Sequence, residues 1–408
     1  MANEASPLTT SVSPYPRPRR LEMLDVWRGI CCLMLVVFHA AMQATSAEFW
    51  QADKPVTDVG SALLWLASRA WIGVPIFFVI SGYCIMATLS SRANRGGVTE
   101  FAKRRFRRIY PPYWAALAFS SLTIIGLEAV WPGLLTGGTF TIQHPLRLPT
   151  DAWLGNLTLT ESWRHVVWGG GSKHILPNTW TLAYEEQFYV VAGLILFLLP
   201  RRILLAFSVF TVVAMGGKVF SKLTGIEVSG SIFDGQWLLI ANGLLLYYRI
   251  HFAKGWRLHA IHAFLALGIL AHLRDPSRLL EAMPNHDIDR FVAFSFTLAT
   301  SLTLQWETGL ARLSALRPFQ RIGAMSYSIY LSHAIVVKAI AHGAYMCGWT
   351  SPLATTLVVV PVSLAVSIVV GWGFYLLVER HYIPGKAPTR GKSSSPAASV
   401  PAQVSSPA

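Results

Sequence analysis

Two ionisable side chains lie within the first long apolar stretch, which begins at Leu24 and ends near residue 45. Arg28 is close to its start, and His39 follows 11 residues later. At about 100° and 1.5 Å per residue, a helix carries both on nearly the same face, roughly 16 Å apart along its axis. Ionisable groups inside membrane spans are costly and usually face a cavity or a partner. The pair therefore has two interpretations. Either both residues belong to a buried site, or Arg28 extends its charge to the membrane interface and His39 forms a hydrogen bond to a neighbouring helix.

A run of basic residues between Lys103 and Arg108 forms a second candidate group. If the run is helical, Arg105 and Arg108 share a face, and two planar guanidinium groups suit a phosphorylated ligand. The same run also fits a topology signal that touches anionic lipid headgroups. These residues therefore predict a phosphate site or a topology signal at the cytoplasmic surface.

Polar groups also interrupt two later apolar stretches. Glu185 and Glu186 are adjacent, and because successive helical residues point about 100° apart, only one faces a given site. Glu185 is the favoured one, as part of a site or of an ion pair between helices. Further on, Tyr330 and His333 follow Ser326 at i+4 and i+7, which predicts one polar face on an apolar helix.

Composition assigns the chain to the polytopic membrane proteins. Of its 408 residues, 53% are hydrophobic and 13% are charged, which is too apolar for an ordinary soluble domain. The net charge of +14 arises mostly between apolar runs, a pattern that orients a membrane protein and argues against a nucleic-acid partner. The four cysteines lack ligand spacing, so we expect neither a disulfide framework nor a metal site.

Ten apolar stretches approach the ~20 residues that cross a bilayer. They lie near residues 24–45, 61–90, 111–131, 180–199, 203–220, 236–251, 258–273, 290–306, 326–346 and 353–378. With the N-terminus in the cytoplasm, the loops on that side hold most of the 34 Lys and Arg residues, as the positive-inside rule requires. We therefore predict an all-α polytopic membrane protein with about ten transmembrane helices and both termini in the cytoplasm.

Composition along the chain divides it into three regions. Residues 1–20, rich in Pro and Arg, predict a disordered basic cytoplasmic tail, and residues 383–408, rich in Pro, Ser and Ala, predict a second disordered tail. Residues 21–382 form the membrane domain. The longest outer connection, residues 132–178, is either a partly structured lid facing the substrate or a variable connection.

Five ordered motifs carry a resemblance to a known family. They are Asp25-x-x-Arg28 followed by His39; Phe77-Phe78-Val79-Ile80-Ser81-Gly82-Tyr83; Arg105-x-x-Arg108-Ile109-x-Pro111; Trp180-Thr181-Leu182-x-x-Glu185-x-x-Phe188-Tyr189; and Ser326-Tyr327-Ser328-Ile329-Tyr330-Leu331-x-His333. Over residues 21–382 the chain resembles the membrane-bound acyltransferase type 3 family of integral-membrane O-acyltransferases. Thr181 stands where the family usually has Ser, and it keeps the hydroxyl.

The resemblance implies transfer of an acyl group, commonly acetyl from acetyl-CoA, to a hydroxyl of a carbohydrate or lipid-linked acceptor. It also implies that the protein lies in the cell membrane, which is the inner or plasma membrane, and that the acceptor lies on the outer side. We expect His39 to act as general base, with Glu185 orienting its imidazole. Arg28, Arg105 and Arg108 are expected to bind the phosphates of acyl-CoA. Six further residues are expected to line the cavity: Asp25, Ser81, Tyr83, Trp180, Tyr330 and His333. Of these, Asp25 is expected to pair with Arg28, and Tyr330 and His333 to donate hydrogen bonds to the thioester oxygen.

Other functions remain compatible with the same residues. A transporter or exporter of acylated or sugar-bearing substrates would line its path with these charges, form no acyl bond and need no acyl-CoA. Within the enzyme interpretation, a covalent acyl-histidine at His39 is the less favoured variant. A purely structural scaffold leaves the buried ionisable residues unexplained.

Overall fold

The computed structural model describes residues 19, 21–45, 56–92, 97–138, 141–225, 235–274 and 286–383. All regular secondary structure within these ranges is helical, as the sequence predicts. Nearly all of both predicted tails lies outside them. The helices are α1 (Met23–Gln43), α2 (Val59–Ser68), α3 (Gly73–Arg92), α4 (Gly97–Val130), α5 (Thr150–Leu157), α6 (Glu161–Trp168), α7 (Trp180–Leu198), α8 (Ile203–Thr224), α9 (Trp237–His251), α10 (Trp256–His272), α11 (His286–Leu302), α12 (Glu307–Ala311), α13 (Arg317–Ala324), α14 (Ser326–Val337), α15 (Gly343–Met346), α16 (Pro352–Ala354) and α17 (Val360–Leu377).

Fewer helices than predicted are long and apolar enough to cross a membrane. Five qualify within the described ranges: Met23–Gln43, Val59–Ser91, Gly97–Val130, Pro177–Leu198 and Pro352–His381. A sixth results if Ser314–Ala324 and Ser326–Met346, which meet at a 73° bend, form one span. Each of the ten predicted stretches contains a helix, but α9, α10 and α11 have only 15, 17 and 17 residues. At about 1.5 Å per residue they are shorter than the ~30 Å hydrocarbon core, so the prediction of ten spans is not confirmed.

Helix α4 carries the basic run and continues unbroken for 34 residues through Pro111 and Pro112. The sequence instead predicted a span beginning at residue 111. Prolines remove backbone donors, so carbonyl groups in the preceding turn lose helical partners. The Tyr327 hydroxyl of α14 donates to the Ile109 carbonyl at 3.0 Å, beside this interrupted part of the hydrogen-bond ladder. The contact fixes α14 against α4 just beyond the basic run.

Helices α1 and α14 lie side by side and run in the same direction. Near the start of both, the Cys32 thiol approaches the Ser326 carbonyl oxygen at 3.7 Å. Near the end of both, the Lys338 ammonium donates to Gln43 Oε1 at 2.8 Å. A side chain on the facing side of α1 therefore has a neighbour at the same level on α14.

Two helix pairs touch closely through glycine. A Cβ on Gly29 of α1 would lie 2.0 Å from the Phe319 carbonyl oxygen of α13. A Cβ on Gly82 of α3 would lie 2.1 Å from the Ile240 carbonyl oxygen of α9. Only glycine permits such close backbone contact between helices.

The connection from α4 to α7 is folded. Arg164 of α6 is 5% exposed and forms ion pairs with Asp151 at 2.6 Å and Glu161 at 2.8 Å. The indole of Trp114 in α4 donates to the Leu157 carbonyl at 2.9 Å, which attaches the segment to the bundle. The predicted partly structured segment is confirmed.

Candidate functional site

Arg28 is oriented by two helices. Its Nη1 lies 3.4 Å from Asp25 Oδ1, one turn earlier on α1, so the predicted pair is present. Its Nη2 lies 3.2 Å from Cys84 Sγ on α3. These contacts hold the guanidinium between α1 and α3. Arg28, Arg105 and Arg108 are called the arginine end below.

Arg105 and Arg108 share one face of α4 but have different surroundings. Arg105 is half-buried and donates to the Tyr189 hydroxyl at 3.2 Å and to Thr88 Oγ1 at 3.0 Å. Its guanidinium also lies 4.6 Å from the centre of the Tyr189 ring, a favourable cation–π distance. Arg108 is exposed and has no hydrogen bond to the described residues. Arg105 therefore joins α4 to α3 and α7, whereas the guanidinium of Arg108 is open to a ligand.

Glu185 lies with the arginines. It accepts a hydrogen bond from the Tyr189 hydroxyl, the group that accepts from Arg105. It is also close enough to Arg28 for their charges to interact. No hydrogen bond joins Glu185 to His39 within the described part of the chain, so the expected orienting contact is not formed in this structure.

His39 and His333 lie face to face across α1 and α14. Their ring centroids are 5.3 Å apart, and their planes are inclined by 41°. His39 is half-buried and has no hydrogen bond to the described residues, whereas His333 is 1% exposed. Three helical turns, about 16 Å, separate this pair from Arg28 along α1. His39, His333, Tyr330 and Asn178 are called the histidine end below.

Backbone contacts decide which nitrogen of His333 carries hydrogen. Its Nδ1 lies 2.8 Å from the Tyr330 carbonyl oxygen and 3.1 Å from that of Ile329. Because a carbonyl only accepts, Nδ1 is the donor, and in the neutral ring Nε2 carries the lone pair. Nε2 is buried without a partner among the described residues. This tautomer makes Nε2 an acceptor rather than the expected donor to a thioester oxygen.

The hydroxyl hydrogen of Tyr330 is also used in a hydrogen bond. Its hydroxyl donates to the Asn178 carbonyl and lies 2.8 Å from Thr181 Oγ1, which must then be the donor in that contact. The Asn178 side-chain nitrogen donates to the Tyr330 carbonyl at 2.5 Å, while its Oδ1 is buried without a partner among the described residues. The hydroxyl of Thr181 thus serves to join α7 to α14.

The remaining predicted lining residues lie on α3 and at the start of α7. Tyr83 is buried between α3 and α9, its ring 5.8 Å from that of Tyr247. Trp180 is 36% exposed and its ring lies 6.5 Å from that of Phe78. Ser81 is half-buried. The contacts of Tyr83 are those of a packing residue.

Sequence reasoning missed Lys338 and Gln43, which lie about one turn beyond the two histidines. Lys338 is 0% exposed, and it donates to Gln43 Oε1 at 2.8 Å and to the Gly137 carbonyl at 2.5 Å. A lysine within an apolar run was a visible signal, because such residues are rare in spans. The bond to Gly137 ties the loop after α4 to the far end of the histidine pair.

A family model for the acyltransferase domain matches residues 21–375. The chain belongs to the acyltransferase 3 family. The match covers most of the chain, which therefore contains an acyltransferase domain, and several of its helices are long and apolar enough to cross a membrane.

Several named relatives are similar to parts of this chain. The acyltransferase MdmB of Streptomyces mycarofaciens is 27% identical over 176 residues, which are 43% of this chain and 39% of the relative. The O-acetyltransferase OatA of Staphylococcus aureus is 26% identical over 212 residues, 49% of this chain and 29% of the relative. The putative peptidoglycan O-acetyltransferase YrhL of Bacillus subtilis is 27% identical over 297 residues, 66% of this chain and 45% of the relative. The chain thus spans less than half the length of each, and no solved structure matches it.

Proposed function

We propose that the protein is an O-acyltransferase of the cell membrane that moves an acetyl group from cytoplasmic acetyl-CoA to a hydroxyl of an extracytoplasmic carbohydrate or related acceptor. The arrangement along α1 carries the proposal. Arg28 near its start is within charge range of Glu185, and His39 meets His333 three turns later. Coenzyme A joins a phosphate-rich head to a long pantetheine arm, so its site needs cations at one end and a reactive group deeper inside.

The distribution of charge supports an arginine end at the cytoplasmic surface. The basic run from Lys103 to Arg108 begins α4, and basic residues concentrate on the cytoplasmic side of membrane proteins. In this orientation both chain termini are cytoplasmic, and α1 leads from the cytoplasm towards the outer half of the membrane.

Each arginine is suited to a different part of phosphate binding. Arg108 is exposed, so its planar guanidinium is free to approach a phosphate group from the cytoplasm. Arg105 uses two of its five donor positions on Tyr189 and Thr88, so it retains donors in a fixed orientation. Glu185 is a positioning residue in this scheme, because it holds Tyr189 beside Arg105.

The chemical step is assigned to the histidine end. Neutral His39 removes the proton of the acceptor hydroxyl while the hydroxyl oxygen attacks the thioester carbonyl carbon. The carbon–sulfur bond then breaks, and the proton passes from His39 to the departing thiolate. The products are an acyl ester of the acceptor and the free thiol of coenzyme A.

Thiol release from acetyl-CoA by the purified protein in lipid tests the proposal, with acetyl-CoA binding measured in the same preparation. We expect His39→Ala to lower release by about 10²- to 10⁴-fold without changing acetyl-CoA binding. An Arg105→Ala/Arg108→Ala double variant is expected to raise the acetyl-CoA concentration required. A wild-type protein that neither binds nor turns over acetyl-CoA contradicts the proposal.

A further inference from the structure

We infer that His333 contacts the acceptor substrate: its Nε2 accepts a hydrogen bond from a hydroxyl next to the one that reacts at His39. The site then selects acceptors that carry two neighbouring hydroxyl groups, such as the vicinal diols of a sugar ring. The inference rests on the proposed role of His39 as the base.

The first observation is that His333 Nε2 is a hydrogen-bond acceptor without a donor among the described residues. His333 is 1% exposed, and its Nδ1 hydrogen is committed to the backbone carbonyls of Ile329 and Tyr330. Its Nε2 lone pair is buried, with no donor within the described ranges. Burying an acceptor without a hydrogen bond costs free energy, so buried polar atoms nearly always have a partner. A ligand that brings a hydrogen removes this cost.

The second observation is that the two neighbouring hydroxyl groups, those of Tyr330 and Thr181, use their hydrogens in other bonds. The Tyr330 hydroxyl donates to the Asn178 carbonyl, and the Thr181 hydroxyl donates to Tyr330. One amide hydrogen of Asn178 goes to the Tyr330 carbonyl oxygen, which also accepts from His333 Nδ1. Asn178 Oδ1 is itself a buried acceptor without a partner in the described part of the chain. This wall therefore presents two buried acceptors, and the hydroxyl groups of a ligand can supply their donors.

Counting hydrogens points to more than one ligand hydroxyl. A hydroxyl carries a single hydrogen, and the hydrogen of the reacting hydroxyl goes to His39. The hydrogen for His333 must then come from another group. Its ring centroid is 5.3 Å from that of His39, so the second donor has to lie beside the first. Hydroxyls on adjacent carbons of a sugar ring meet this requirement, whereas an isolated alcohol does not.

Two substitutions separate the Nε2 contact from the structural role of Nδ1. In His333→Asn, the amide nitrogen lies near the position of Nδ1 and can still donate to the backbone, but the acceptor at Nε2 is gone. In His333→Gln, the longer side chain restores an acceptor near the position of Nε2. His342→Asn is the matched control, since His342 Nδ1 also bonds a backbone carbonyl, that of Leu134, at 2.8 Å.

The probes are methyl glucoside and methyl galactoside, which offer trans and cis neighbouring hydroxyls, together with their singly deoxygenated derivatives. Acetyl transfer is measured as kcat/KM for the glycoside at saturating acetyl-CoA. In the wild type, we expect removal of the reacting hydroxyl to abolish transfer. Removal of its neighbour is expected to lower kcat/KM by about 10- to 100-fold.

The decisive result concerns the two losses in combination. His333→Asn is expected to lower kcat/KM for the full glycoside by the same factor as removal of the neighbouring hydroxyl, and to show no further loss with that deoxy glycoside. His333→Gln is expected to recover part of the activity, and His342→Asn to behave as wild type. Acetyl-CoA binding and thermal unfolding are expected to stay unchanged in His333→Asn.

Three results overturn the inference. His333→Asn activity equal to wild type on all glycosides shows that Nε2 contacts no substrate. Equal losses on full and deoxy glycosides show that His333 acts on the reacting hydroxyl or on the fold. A wild type that binds acetyl-CoA but acetylates neither glycoside overturns the diol requirement alone, whereas one that binds no acetyl-CoA overturns the proposed function as well.

Discussion

The two ends of α1 differ in how far the protein itself satisfies their polar groups. At the arginine end, Arg28 is held by Asp25 and Cys84, and Arg105 is held by Tyr189 and Thr88. At the histidine end, His39 has no hydrogen bond, and His333 Nε2 has none, among the described residues.

The proposed function assigns each end a role that accounts for the difference. A guanidinium keeps several donors in one plane, so protein partners can fix its orientation while other donors stay available for phosphate. A neutral imidazole has a single lone pair, and a protein partner would occupy the position that substrate needs. The arginine end is therefore oriented by protein contacts, whereas the histidine end keeps a buried acceptor without a protein partner among the described residues.

The largest effect is expected from moving the helix that carries the arginine end. Gly29→Ala places a methyl group 2.0 Å from the Phe319 carbonyl oxygen, so α1 must shift away from α13. We expect about 3 kcal/mol or more of destabilisation, measured by thermal unfolding in detergent. Gly126→Ala on α4 is the control, because a Cβ there meets no atom within 4 Å. Equal unfolding temperatures for the two variants contradict the close packing.

Arg105→Ala and Arg108→Ala should separate structure from ligand binding within one helix face. Loss of Arg105 removes two hydrogen bonds between helices, so we expect about 2 kcal/mol of destabilisation. Loss of Arg108, which is exposed, is expected to leave unfolding unchanged and to raise the KM for acetyl-CoA about 10-fold or more. Unfolding curves and kinetics on both variants check this, and a reversal of the two outcomes would refute the assignment.

Tyr330→Phe tests how the histidine end keeps its shape. The substitution leaves the Asn178 carbonyl and the Thr181 hydroxyl without their contacts to Tyr330, at a cost of about 1–2 kcal/mol. Transfer activity should fall, while acetyl-CoA affinity, which depends on the other end, should stay the same. Thr181→Ser keeps the hydroxyl and is expected to match wild type in both measurements. A parallel fall in acetyl-CoA affinity would mean that the two ends are not separate.

The smallest effect should distinguish the adjacent carboxylates. Glu185→Gln still accepts from Tyr189 but loses the charge near Arg28, so we expect the KM for acetyl-CoA to change by about 3- to 5-fold. Glu186 instead accepts from Tyr110 of α4, and Glu186→Gln is expected to stay within about 2-fold of wild type. A loss of kcat in Glu185→Gln with unchanged KM would instead support the expectation from the sequence that Glu185 orients the imidazole of His39.

Local patterns predicted what depends on neighbouring residues in the chain. Helical periodicity indicated the all-helical fold and the Asp25–Arg28 pair one turn apart. The number of spans is not confirmed, because apolarity marks burial as well as membrane crossing. Helices α9, α10 and α11 lie in three of the ten predicted stretches, yet they are shorter than the helices that are long and apolar enough to cross a membrane.

The partners of the site residues were not predictable in the same way. Glu185 lies near the arginines because α7 runs antiparallel to α4, which pairs Tyr189 with Arg105 across 84 positions of sequence. Lys338 reaches Gln43 across 295 positions. Nothing in either local pattern specifies these contacts.

The sequence alone determined that the chain is helical, that it belongs to the acyltransferase 3 family, and that Arg28 and His39 share one face of α1. Its residue types and their spacing carry that information, because helix geometry converts position in the chain into direction. Tertiary structure decided which groups are satisfied and which stay open. The tautomer of His333 depends on backbone carbonyls of its own helix, but its Nε2 stays without a partner because no donor among the described residues of the neighbouring helices lies within hydrogen-bond distance. Whether a polar group has a hydrogen-bond partner depends on how several helices pack together, so the sequence of one segment cannot reveal it.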